Sequence, residues 1–160
     1  MAEGNVVLFS FLAHGHLTPC LDLVLLLSTR YPHLTLTLIT TSDNLPFLRR
    51  LRLPLALRFT ALPFNPSDHG LPPDANTTFA LPSRLVILFN HTMINYLSPH
   101  FRNLLSELIA DESLPLLCVI ADMFLGWTAP VAEELGVFHA ALLRGLLADG
   151  STEGAATGAR

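Results

Sequence analysis

Two residues in this 160-residue chain have the side chains for acid–base work and the local setting to use them. His16 follows the apolar, β-rich run of residues 5–12, and Asp122 follows a second such run at 116–121. A neutral imidazole can take a proton from a hydroxyl. A carboxylate on its other nitrogen would fix the tautomer and stabilise the imidazolium that forms. Each residue also has a plainer reading. His16 could be a polar turn residue, and Asp122 could cap the segment that follows it. His14 competes as a base, although it reads more naturally as a loop residue. What separates the readings is whether the fold brings positions 16 and 122 together.

The elements between them alternate in period. Residues 5–12 read as a buried strand. Thr18 and Pro19 then offer a hydroxyl cap and a first-turn proline for a helix running to about Arg30. That helix is apolar almost all round, which predicts cover on more than one side. Residues 34–41 (LTLTLITT) alternate as a second strand. Ser42-Asp43-Asn44 can cap a short helix through Leu51, and 57–62 form a third strand. Residues 63–78 are rich in Pro, Asp, Asn and Gly and predict a long loop. A helical pattern spans 82–110, with Pro99 expected to split it. Residues 116–121 are a fourth strand, Thr128–Leu135 a helix stopped by Gly136, and Val137–Ala140 the start of a fifth strand.

Strands alternating with helices predict an α/β fold, a Rossmann-like doubly wound parallel sheet. Ligands in such sheets bind beyond the carboxyl ends of the strands, where strand order reverses. In the order 3-2-1-4-5 the first and fourth strands are neighbours there, so His16 and Asp122 can meet in the crevice.

Composition narrows the function classes. Hydrophobic residues make up 51%, the net charge is −4, and all nine basic residues are arginines. Apart from Arg49, Arg50 and Arg52, which suit the solvated side of a helix, they are scattered, so no nucleic-acid stripe is present. Cys20 and Cys118 lack metal-ligand spacing and lie in apolar runs. Buried free thiols are expected, which fits a reducing, cytoplasmic compartment. Glu3 stands where a secretory leader would be basic, and the first apolar run is too short to span a bilayer. The opening turn, Ala-His-Gly-His, is not the dinucleotide-binding G-x-G-x-x-G. A flavodoxin-like module fits the strand pattern but leaves the His–Asp pairing to chance.

Three stretches in register carry a family likeness. FSFLAHGHLTP resembles the strand–Gly-His–helix opening of plant family-1 UDP-glycosyltransferases. NPSDHGLPPDANTT resembles their Asp-Gly-Leu-Pro segment, and CVIADMFLGWTAPVAEELGV their strand, Asp-x-Phe and helix. The likeness spans roughly residues 5–140. It implies the N-terminal, acceptor-binding half of a GT-B fold, with a small-molecule acceptor as partner. UDP-sugar is the co-substrate of the intact family, bound by a second domain, and neither cofactor nor metal is implied. The family's base and its supporting carboxylate map onto His16 and Asp122, and Gly15 would allow close approach of the donor. Phe89, His91 and Met93, with loop 63–78, are candidate acceptor-lining residues whose plain alternative is helix packing. Residues 1–140 are expected to form the domain. After Ala140 the likeness stops, Arg144 stands near an expected Thr, and 141–160 read as a divergent tail, as if the coding sequence had been truncated or had left its frame. Without the second domain, the exposed domain interface would be open to self-association. The alternative function is a non-catalytic small-molecule or partner-binding module.

Overall fold

The computed structural model describes residues 4–11, 14–73 and 81–143. In chain order the elements are β1 (Gly4–Phe9), α1 (His14–Arg30), β2 (Leu34–Thr41), α2 (Leu45–Arg49) and β3 (Leu57–Leu62). They continue with α3 (Ser83–Thr92), α4 (Ser98–Ala110), β4 (Leu116–Asp122), α5 (Thr128–Glu134) and β5 (Phe138–Leu142). The strands form one sheet in the order β3-β2-β1-β4-β5, every pair parallel. This is the α/β, Rossmann-like architecture that the alternating pattern predicts.

Parallel sheets covered by helices bury both faces of their central strands, and β1 is buried at every position. The alternation of side chains along β1 divides two cores. Val7, Phe9 and Phe11 join residues of α3, α4 and α5 on one face. Val6 and Leu8 join Cys20 and Val24 of α1 and Leu48 of α2 on the other. In the first core, Phe9, Phe101 and Trp127 form a triad with ring centroids 5.6–6.0 Å apart. Strand β2 is buried even where it is polar, because Thr37 donates its hydroxyl to Asn5 Oδ1 at 2.9 Å across the sheet.

Several local expectations are corrected. Helix α1 already begins at His14, so Thr18 is not its cap and Pro19 lies inside it. Nor is α1 covered all round: Leu25 and Leu26 are 46% and 54% exposed. One stripe, Leu17, Cys20, Leu21, Val24 and Leu27, suffices to dock it on the sheet at helical spacing. Helix α2 ends at Arg49, short of Leu51, and Asn44 at its cap position turns its amide to the Thr41 hydroxyl instead of the helix. Pro99 does not split the long helix. A π-helical segment, Met93–Leu97, joins α3 to α4, with helical dihedrals at both junctions (Thr92, Met93, Leu97 and Ser98). The wider turn accommodates the proline, whose ring would otherwise press on the carbonyl four residues back. The 63–78 loop is anchored in its first part by buried Phe64 and Leu71, which flank a 3₁₀ turn at Pro66–His69; residues 74–80 lie outside the described residues. Cys118 is only partly covered, and both cysteines are free thiols. The expected domain end at residue 140 falls within β5, which pairs with β4 as far as Leu142; residues 144–160 are outside the described residues.

Helix α5 ends as Gly136 foretells. Gly136 has φ 71°, its N–H bonds the Glu133 carbonyl, and the Val137 N–H bonds the Ala132 carbonyl. That is the paired Schellman closure. A Cβ at Gly136 meets no neighbour within 4 Å, so substitution there isolates the backbone term. Gly136→Ala is expected to lower unfolding free energy by about 1–2 kcal/mol, read as a shift in urea midpoint at unchanged m-value.

His139 pins β5 to the same helix. The Thr128 hydroxyl spends its single proton on the Leu125 carbonyl at 2.6 Å, so the His139 Nε2–H must donate to Thr128 Oγ1 at 2.9 Å. Partial burial holds the His139 pKa below its ordinary value. A histidine whose folded-state pKa is depressed adds stability that is complete above the unfolded value, about 6.5. That stability is lost as pH falls through the lower folded value. Urea midpoints between pH 7.5 and 5 are therefore expected to fall less in His139→Gln than in the parent chain, and the His139 ring to titrate below its unfolded value by NMR.

Candidate functional site

The carboxyl ends of β1 and β4 lie side by side, with Phe9 opposite Ala121. One residue beyond, β4 ends at Asp122, which is buried at 3% exposure. Beyond β1, the chain enters α1 at His14, and His16 sits in its first turn. The two meet: His16 Nδ1 lies 2.7 Å from Asp122 Oδ2, and the imidazole side chain is 11% exposed. An ionised carboxylate only accepts, so Nδ1 carries the proton, and in the neutral ring Nε2 keeps the lone pair. Among the described residues no hydrogen bond engages Nε2.

Asp122 is also the cap suggested by its position. Its other oxygen, Oδ1, accepts the Phe124 N–H at 2.9 Å and starts the 3₁₀ turn Met123–Leu125. The capping and pairing readings therefore hold together, one oxygen for each. Anchored by the main chain, the carboxylate presents Oδ2 to the imidazole in a fixed direction. The rings of Phe11 and Phe124 flank His16, with centroids 5.5 Å and 5.0 Å from it. These two escaped the sequence reading as site residues. The Asp-x-Phe spacing was the available signal, because a capping aspartate draws the residue two places on back toward its own carboxylate.

Cys20 lies one helical turn beyond His16, on the same side of α1. Burial, and secondarily the charge of Asp122, push its thiol pKa up to about 12. It therefore stays a protonated, inert packing group. Gly15 is the second residue of α1, beside His16 at the mouth of the crevice. His14 opens the helix, and its side chain is outside the described residues.

The candidate acceptor-lining residues divide. Phe89 and Met93 are 0% and 1% exposed within the first core, where Phe89 packs edge-on to Phe11 and Phe64. Their observed contacts are those of helix packing. His91 is exposed and borders an open depression of about 290 Å³ with His69, Thr92, Asn95 and Tyr96. His69 stacks on Phe64 and meets Tyr96 edge-on. Between the depression and His16 lie the buried, mutually packed rings of Phe64, Phe89 and Phe11. Among the described residues no cluster of three or more His, Cys, Asp or Glu could hold a metal ion, and no helix is long and apolar enough to cross a membrane.

No protein-family model matches the chain. It is 39% identical over 137 residues to crocetin glucosyltransferase 3 of Crocus sativus, a match covering 84% of this chain and 29% of that protein. It is 34% identical over 140 residues to UDP-glycosyltransferase 92A1 of Arabidopsis thaliana, covering 84% and 28% respectively. The chain thus spans less than a third of the length of these relatives. Among solved structures, Arabidopsis thaliana UGT89C1 complexed with UDP-L-rhamnose shares the fold at a TM-score of 0.74 and 24% identity, over 89% of this chain and 36% of that one. Over most of its length the chain is thus similar to plant UDP-glycosyltransferases, and its five-stranded sheet matches the N-terminal domain of their GT-B architecture.

Proposed function

We propose that this chain is the acceptor side of a UDP-sugar-dependent glycosyltransferase, in which His16 is the general base and Asp122 its supporting carboxylate. The 2.7 Å contact between His16 Nδ1 and Asp122 Oδ2 at the carboxyl end of the sheet carries this reading. In it, Nε2 takes the proton from the hydroxyl of a small-molecule acceptor as that oxygen attacks the anomeric carbon. The Asp122 carboxylate balances the charge that develops on the ring. Gly15 lets the donor approach the first turn of α1, and the sugar nucleotide is held by a second domain, as the family likeness implies. The solved structure of UGT89C1 with quercetin, 25% identical to this chain, supports a phenolic acceptor as the first to try.

The test is a segment exchange. Residues 1–143 replace the matching segment of crocetin glucosyltransferase 3, and glucose transfer from UDP-glucose to a panel of phenols is measured. His16→Ala is expected to lower kcat by about 10²–10⁴-fold. Asp122→Asn, which keeps the cap on Phe124, is expected to lower it by at least about tenfold. Unchanged turnover in His16→Ala would remove the base. The 160-residue chain by itself is expected to give no measurable transfer, because alignment of both reactants supplies much of the rate.

A second reading, a non-catalytic module that pairs with another protein or with itself, is favoured by one observation. Phe138 of edge strand β5 is 71% exposed and Leu143, just beyond it, 48%. Exposed apolar side chains on an edge strand that has no outer neighbour among the described residues favour association. Sedimentation velocity across a hundredfold concentration range distinguishes the two. A mass-action shift weakened by Phe138→Lys supports the module, and a monomer throughout refutes it.

A further inference from the structure

His16 has three sides to be held if it is to present Nε2 in one direction. Asp122 takes Nδ1. The ring faces and edges are met by Phe11, at an interplanar angle of 73°, and by Phe124, at 53°, and those two phenyl rings lie 5.4 Å from each other. Phe11 is 6% exposed and part of the first core, so packing alone accounts for it. Phe124 is different. It is 57% exposed, and an aromatic ring left largely in water gains little from burial.

What distinguishes Phe124 is that it touches both members of the pair by separate means. Its backbone N–H donates to Asp122 Oδ1, and its ring lies 5.0 Å from the imidazole. The main-chain bond is independent of the side chain, so the two contributions can be separated by substitution. We propose that Phe124 is a positioning residue, whose ring packs against His16 beside Phe11 and keeps Nδ1 on Asp122 and Nε2 free. This rests on the reading of His16 as the base. Without the ring, the imidazole is free to rotate about its two side-chain torsions, and a displacement of about 1 Å at a reacting atom can cost on the order of 10²-fold in rate.

The test uses the full chain labelled with ¹⁵N-histidine. Long-range proton–nitrogen spectra of the parent are expected to show His16 as a single Nδ1–H tautomer with slow exchange of that proton. In Phe124→Ala, the Nε2–H tautomer is expected to appear and Nδ1–H exchange to accelerate by about tenfold or more. Phe124→Tyr is expected to restore the parent spectrum. Phe124→Leu keeps apolar bulk without the ring and is expected to behave like the alanine variant. Far-UV circular dichroism confirms the fold of each. Parent-like tautomer and exchange in either folded variant, Ala or Leu, overturn the proposal. The base reading is judged separately by His16→Ala in the exchanged enzyme. Altered spectra alongside unimpaired transfer in that variant would leave Phe124 positioning His16 while removing the base role.

Discussion

A carboxylate with one oxygen on a main-chain N–H and the other on an imidazole organises the carboxyl end of this sheet. Asp122 is nearly fully buried, and a buried charge without partners is costly. Here each oxygen is satisfied: Oδ1 by the Phe124 N–H and Oδ2 by His16 Nδ1. The turn that starts at Asp122 leads into α5, and the turn that carries His16 is the start of α1. The pair therefore joins the entrances of two helices that lie on opposite faces of the sheet. Its geometry depends on β1 and β4 being neighbours, and on their register ending together at Phe9 and Ala121.

The rest of the structure supports that arrangement from below. The Phe9, Phe101 and Trp127 rings fill the space beneath the site on one face, and Cys20 and Val24 fill the other beneath α1. Neither cluster is polar, so the His–Asp pair sits on an apolar floor. Cys20 illustrates the consequence. Burial, reinforced by the nearby Asp122 charge, holds it as a thiol, which keeps a second nucleophile from competing beside the histidine.

On the acceptor side, the residues chosen by helical position split by the face they occupy. Phe89 and Met93 look inward, while His91, two places from each, looks outward to the depression shared with His69 and Tyr96. The π-helical segment sits at this border and changes the rotation between α3 and α4. Alternation of roles over so few positions follows from a helix of 3.6 residues per turn lying between a core and a cleft.

Much of this was legible in the residues themselves. Alternating apolar runs and helical stretches specify parallel strands with crossovers, and a Gly at position 136 specifies a left-handed stop, because those signals depend on neighbours within a few positions. The pairing of residues 16 and 122 was inferable only through the switch-point rule. Tertiary structure alone decided the remainder. Whether α1 would be covered, whether Pro99 would break a helix, and which rings would flank His16 all depend on space left by elements distant in sequence. The same holds for Asp122, whose roles as cap and as partner looked like alternatives along the chain. They became one arrangement because a carboxylate has two oxygens and the fold supplies a donor to each.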